Sequence, residues 1–244
     1  MKKRTALAAL LAGTVLSAAS AHAAPTTINI TSISGIWQDD VPDAAVSGEG
    51  TSTISWGTPA SAGGQSSYTF TPTSTPFSVE VLPPPQATFD IGTFTHSNFP
   101  VFDATLQTVN LVVTTQLNIG GGTSETVEST FAFTHLETTN VEPCPDPSGT
   151  PCSDQVTFET VSSGTETFEV DGDLFFVDIA GFLVGGVVED EFWTEEGLAN
   201  NADLQGVIRA EAGIAEVPVA PTMLLLGMGL IGLGGYVRAQ NRKA

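Results

Sequence analysis

The sequence predicts an all-β exported domain, an antiparallel β-sandwich of jelly-roll or Ig-like form, and three observations carry that prediction. Apolar and polar residues alternate with period two over most of the stretch from Thr26 to Ile214. Gly, Pro, Asn and Ser clusters interrupt the alternation at short intervals, and Thr, which favours strands, is abundant. No repeat of fixed period is present, which argues against a solenoid or β-helix, including the flat Thr-rich faces that depend on regular repetition.

The N-terminal segment 1–23 reads as a secretory signal peptide. Lys2, Lys3 and Arg4 precede an apolar run from Ala6 to Val15, and Ala21-His22-Ala23 supplies small residues for cleavage. The mature chain is then expected to begin near Ala24, and residues 24–216 form the exported domain.

Alternating runs follow in order. They lie around Ile54 and Trp56, around Tyr68 and Phe70, and from Phe77 to Val81. The clearest puts Val109, Leu111, Val113, Leu117 and Ile119 on one face and Asn110, Thr114, Gln116 and Asn118 on the other. Gly120-Gly121-Gly122 reads as a hairpin tip between this strand and Val127–Phe133, the two longest predicted strands. Val156 and Phe158, then Phe175 to Ile179, then Ile208 to Ile214, complete the series. Asp171-Gly172 reads as a second tip, between Phe168–Val170 and Leu174–Val177. One short helix is expected, with Thr194 capping Glu195 and Glu196 before Gly197 interrupts it.

Segment 217–244 closes the chain with a short Pro motif (Val217, Pro218, Val219, Ala220, Pro221), an apolar run from Met223 to Val237, and the basic end Arg238, Arg242 and Lys243. As a helix of about 15 to 20 residues the run spans roughly 23 to 30 Å, enough to cross a bilayer, with the basic end retained inside. One C-terminal transmembrane helix is therefore expected. The tail resembles PEP-CTERM sorting signals of Gram-negative bacteria, and their VPLPA variant more closely, with Pro221 one place later than in either consensus. That resemblance implies an exosortase-type membrane transpeptidase as partner and the membrane or cell surface as destination.

Charge narrows the function. The exported region holds all 27 acids of the chain and a single basic residue, Arg209, a net charge of about −26. Such a field repels nucleic acid and anionic lipid and attracts divalent cations. With no lysine there, Schiff-base chemistry and lysine-assisted phosphate handling are excluded. No G-x-S-x-G elbow, H-E-x-x-H pair or phosphate loop occurs, so a non-catalytic protein is expected. Carboxylate pairs of the glycosidase kind are set by the fold rather than by spacing, so a secreted hydrolase stays open as an alternative.

Cys144 and Cys152, the only cysteines, enclose PDPSGTP and read as a disulfide in an oxidising compartment. Glu169, Asp171, Asp173 and Asp178 crowd one predicted hairpin; oxygen ligands at a turn suit Ca2+, while Asp-Gly alone explains the turn. Glu189, Asp190, Glu191, Glu195 and Glu196 read as a solvated face.

The string FDIGTFTHSNFP (89–100), with GTSTISWGTP (50–59), QSSYTF (65–70), CSDQVTF, FEVDGDLFFVDIAGF and ADLQGVI in order, resembles the THxN family of PEP-CTERM proteins, the choice-of-anchor K domain. The resemblance covers most of the exported region. It implies an anchored domain without a defined activity, whose motif positions here are Thr95, His96, Asn98 and Pro100. Phe94, His96 and Asn98 share one strand face, where the polar pair either satisfies backbone groups at a strand end or contacts a sugar hydroxyl or metal. His135 is in phase with Phe131 and Phe133, so a site pairing His96 with His135 is open. Trp37, Trp56 and Trp193 read as core, or as the stacking residues of a Ca2+-dependent carbohydrate-binding module, the other alternative to a structural or extracellular-matrix role.

Overall fold

The structure is a computed structural model that describes residues 26–41, 46–81, 87–102, 105–120, 122–139, 143–145, 151–160, 166–170 and 172–210. The signal segment, the C-terminal sorting segment and Asp171 lie outside them. Among the described residues no helix is long and apolar enough to cross a membrane.

Sixteen strands make up most of the described chain: β1 (Thr26–Val41), β2 (Val46–Ser47), β3 (Thr53–Trp56), β4 (Thr58–Pro59), β5 (Ser66–Pro72), β6 (Phe77–Val81), β7 (Phe89–Asn98), β8 (Val101–Phe102), β9 (Thr108–Ile119), β10 (Thr123–Leu136), β11 (Asp154–Thr160), β12 (Phe168–Val170), β13 (Asp173–Val184), β14 (Val187–Glu189), β15 (Glu191–Thr194) and β16 (Leu198–Ala210). A six-stranded sheet runs β15-β11-β10-β9-β1-β6. An eight-stranded sheet runs β12-β13-β16-β7-β5-β3-β2, with β14 on β13, and β4 pairs β8 separately. All pairings are antiparallel.

Alternation places the core. Along β9 the predicted apolar face is buried apart from half-buried Ile119, and the same phase along β10 buries Val127, Phe131, Phe133 and His135. Rings from the two sheets meet in one core. Trp37 of β1 lies 5.5 Å from Tyr68 of β5, Phe133 of β10 lies 5.6 Å from Phe94 of β7, and Phe158 of β11 lies 5.4 Å from Phe182 of β13. Such pairs each contribute about 0.5 to 1.5 kcal/mol beyond the area they bury. Gly35 admits this packing, since a Cβ there would lie 2.5 Å from Phe70 Cδ1.

Both predicted hairpin tips join the strands expected of them, β9 to β10 and β12 to β13. Three expectations are corrected. The longest strand is β1, at 16 residues, whose Gly and Ser positions weaken its alternation on paper. The expected helix at Thr194 is instead the turn between β15 and β16. Gly197 takes φ +80° and donates its N–H to the Asn98 carbonyl, while Asn200 Oδ1 accepts the Glu195 N–H. Thr194 does not cap because its hydroxyl is engaged in the core. Finally, β16 begins at Leu198, ten residues before the Ile208–Ile214 run, because its first half is polar and reads as loop; residues 211–214 lie outside the described set.

Candidate functional site

Toward one end of the core, polar side chains replace the aliphatic ones. β3, β5 and β7 bring Trp56, Tyr68 and His96 to their inner faces, and β10, β11 and β15 bring His135, Asp154 and Thr194 from the opposite sheet. The His96 and His135 rings stand edge to face, 5.2 Å between centroids. Trp56 is 5.6 Å from His96 and 5.3 Å from His135. The two histidines, 39 positions apart, thus meet, and all six of these residues are buried.

Hydrogen bonds fix the protons. Thr194 Oγ1 donates to the Asp154 carbonyl at 3.1 Å, so it accepts from His96 Nδ1 at 2.8 Å. His96 is therefore protonated on Nδ1, and its Nε2 presents a bare lone pair. Burial, and then His135, hold the His96 pKa well below its usual value, so the ring is neutral. Around His135 the order differs: Nε2 donates to Glu137 Oε2 at 3.3 Å, and Nδ1 accepts the Tyr68 hydroxyl at 2.5 Å. The Tyr68 phenol stays protonated, since burial first, and then Asp154 and Glu137, raise its pKa well above 10.

Asp154 is a carboxylate with no exposure to water, and so carries a desolvation penalty. Its Oδ1 accepts the Thr138 N–H at 2.8 Å, while Oδ2 lies 3.9 Å from His135 Nε2. Burial, and secondarily Glu137, push its pKa up to about 7, outweighing the Thr138 hydrogen bond and His135, which act to lower it. Four buried polar atoms of this region have no hydrogen-bond partner: Trp56 Nε1, His96 Nε2, Asn98 Oδ1 and Asp154 Oδ2. Unpartnered groups at such density in one place are unusual, as buried polar atoms are nearly always paired.

The THSN residues divide by strand phase. His96 and Asn98 face inward, and Asn98 Nδ2 donates to the Thr194 carbonyl across the core at 3.1 Å. Thr95 faces outward and donates to Asn201 Oδ1 at 2.6 Å. Pro100 ends the strand and its carbonyl accepts the Ala60 N–H. Cys144 and Cys152 form the expected disulfide. Of the acidic hairpin set, Glu169 and Asp173 are exposed near its tip, while Asp178 lies five positions along β13, with its carboxylate 2.5 Å from Arg209 Nε. At about 3.3 Å per residue that separation is about 16 Å, so Asp178 does not join them. The residues of the sorting motif lie outside the described set. Trp37 and Trp56 are fully buried, whereas Trp193 is half-buried and donates to Glu191.

Sequence reasoning missed Asp154, Glu137 and Thr194. Asp154 sits in CSDQVTF, where an Asp after Ser reads as turn chemistry, and Thr194 reads as a cap. The missed signal was phase: Asp154, Val156 and Phe158 share one face of one strand.

The outer face of the larger sheet carries a second feature. Register aligns Ser47, Ser55, Ser67, Ser97 and Ala199 in one row across five strands, and Thr53, Thr69, Thr95 and Asn201 in the next. Thr71, Thr93 and Asp203 form a third row. Thr53 and Thr69 hydroxyls lie 3.0 Å apart, and Thr93 donates to Asp203 at 3.0 Å. Nine hydroxyl side chains thus stand in a grid with spacings of about 4.8 by 6.7 Å.

Fold and site together define an all-β domain with a buried polar cluster and an outward hydroxyl array. Compared with protein-family models and with curated proteins, the chain has no match in either.

Proposed function

We propose that the chain is an exported, surface-anchored and non-catalytic β-sandwich domain that adheres to neutral polysaccharide of the extracellular matrix through the Ser/Thr face of its larger sheet. The hydroxyl grid carries this reading. Each Ser or Thr both donates and accepts, so a regular sheet of them suits a ligand that is itself a field of uncharged hydroxyls, directly or through bridging water. Selectivity follows from charge, because a domain of about −26 repels anionic polymers. The leader, the Pro motif, the apolar run and the basic end support export and anchoring, with an exosortase-type transpeptidase as processing partner and a Gram-negative cell surface as destination. The resemblance to the THxN family agrees with that placement.

Sedimentation with insoluble neutral polysaccharides (cellulose, chitin) beside an anionic one tests the reading. Retention on at least one neutral polymer is expected, none on the anionic one, and a loss of about tenfold or more, about 1.4 kcal/mol, in a Thr69→Lys, Thr95→Lys variant of unchanged melting. Equal retention of the variant would overturn the assignment of this face. Mass spectrometry of the surface form tests the anchor separately, where an intact end at Ala244 would remove processing.

A further inference from the structure

The buried cluster goes beyond that reading. We propose that His135, Glu137 and Asp154 form a binding site for a divalent transition-metal ion, entered past Glu137.

Geometry comes first. The three ligand atoms lie within 4.8 Å of one another, with His135 Nε2 3.3 Å from Glu137 Oε2 and 3.9 Å from Asp154 Oδ2. Donors at about 2.0 to 2.2 Å from a common zinc-sized ion stand about 3 to 4 Å apart, so the two His135 distances already fit and the carboxylate pair has to draw together. The site lies where β10 ends and β11 begins. Between them the Cys144–Cys152 disulfide links two residues, and Thr138 is tied back to β11, its N–H to Asp154 Oδ1 and its hydroxyl to the Cys152 carbonyl at 3.1 Å. The Asp154 carboxylate is thereby oriented, and Glu137 precedes Thr138 directly in the chain.

Chemistry selects the ion. An imidazole nitrogen disfavours Ca2+ and Mg2+, which take oxygen, and suits zinc and its first-row neighbours. Two carboxylates, one buried and one partly exposed, offset the charge of a divalent cation. For an ion to bind at Nε2 the His135 proton leaves that nitrogen for Nδ1, and the Tyr68 hydroxyl, 2.5 Å away, turns to accept it there, as the other ring nitrogen of a ligating imidazole requires.

An independent observation points the same way. Asp154 is fully buried, yet its Oδ2 has no hydrogen-bond partner. A carboxylate oxygen in that condition is costly unless something cationic reaches it. Glu137, with its side chain one-fifth exposed, is where the cluster meets solvent and an ion would enter.

The experiment uses the exported protein stripped with chelator and then titrated with Zn2+, Mn2+ or Ca2+ at matched ionic strength, read by calorimetry, melting temperature and the NMR signals of the His135 ring. Saturable binding of one Zn2+ or Mn2+ is expected, with a rise in melting temperature that Ca2+ does not give beyond NaCl and with a shifted His135 resonance. Glu137→Gln, whose amide oxygen can still accept from His135 Nε2, should weaken binding at least tenfold in a stripped protein that still melts cooperatively. Glu189→Gln, in the exposed acidic run, should leave binding unchanged. Absence of saturable binding overturns the proposal, as does equal affinity of wild type and Glu137→Gln, which would assign the ion to the acidic surface.

Discussion

Replacing Thr194 by Val tests whether the core polar chain is held together as its protons imply. The change is close to isosteric and removes only the hydroxyl that accepts from His96 Nδ1 and donates to the Asp154 carbonyl. His96 cannot escape by moving its proton, because Nε2 also lacks a partner. Either tautomer then leaves one ring N–H buried and unpaired, at a cost of about 1 to 3 kcal/mol. The added methyl returns up to about 0.8 kcal/mol of apolar burial. The Asp154 carbonyl loses a donor, but β11 stays paired with β15 through Asp154 and Thr194. The net expectation is a loss of about 1 to 2 kcal/mol, and at about 2 to 4 °C per kcal/mol for a domain of this size the melting temperature falls by about 2 to 8 °C. Urea denaturation of chelator-treated protein measures it, with the m-value unchanged. Thr95→Val, which removes a hydroxyl from the outer face of β7, is the control and should stay within about 0.5 kcal/mol of wild type. If Thr194→Val unfolds together with that control, the hydroxyl carries no such bond and the proton assignment of His96 fails with it.

Two further outcomes follow from the same placements. His96 has a lowered pKa in the folded protein, so below its unfolded value of about 6.5 the unfolded chain binds more protons and stability falls as pH falls. Measured from pH 7 to 5 in chelator, the stability of wild type relative to His96→Gln should decline by up to about 1.4 kcal/mol per pH unit; a constant difference would mean that His96 takes up its proton in the folded protein as readily as in the unfolded chain. In the acidic β12–β13 hairpin, where Asp178 is committed to Arg209, Ca2+ and NaCl at matched ionic strength should raise the melting temperature of Glu137→Gln protein equally, and an excess for Ca2+ lost in Glu169→Gln would restore a turn site.

Much of this was legible from local pattern. Period two placed Phe94, His96 and Asn98 on one face and His135 in the row of Phe131 and Phe133, and the disulfide followed from compartment and spacing. What the pattern could not supply was adjacency between sheets. Thr194 reaches His96 across 98 positions, and Tyr68 reaches His135 across 67. Those distances close only once β7 is set between β5 and β16, and β15 beside β11, choices made by the whole topology. Thr194 was misread for the opposite reason, since a Thr is at home in a local cap.

The hydroxyl grid shows why a search for repeats along the chain missed a regular surface. TSTIS, SYTFT and TFTHS carry Ser or Thr at alternate positions but occur at unequal intervals. Their periodicity lies across the strands, where antiparallel register brings Ser55, Ser67 and Ser97 into one row and Thr53, Thr69 and Thr95 into the next. The same register sends Trp56, Tyr68 and His96 to the other face, and a slip of one residue would exchange the two sets. Burial of the aromatic face therefore fixes the display of the hydroxyl face. It also separates their roles, because a change at Thr69 or Thr95 alters the surface without entering the core, and a change at Glu137 alters the buried cluster without touching the grid.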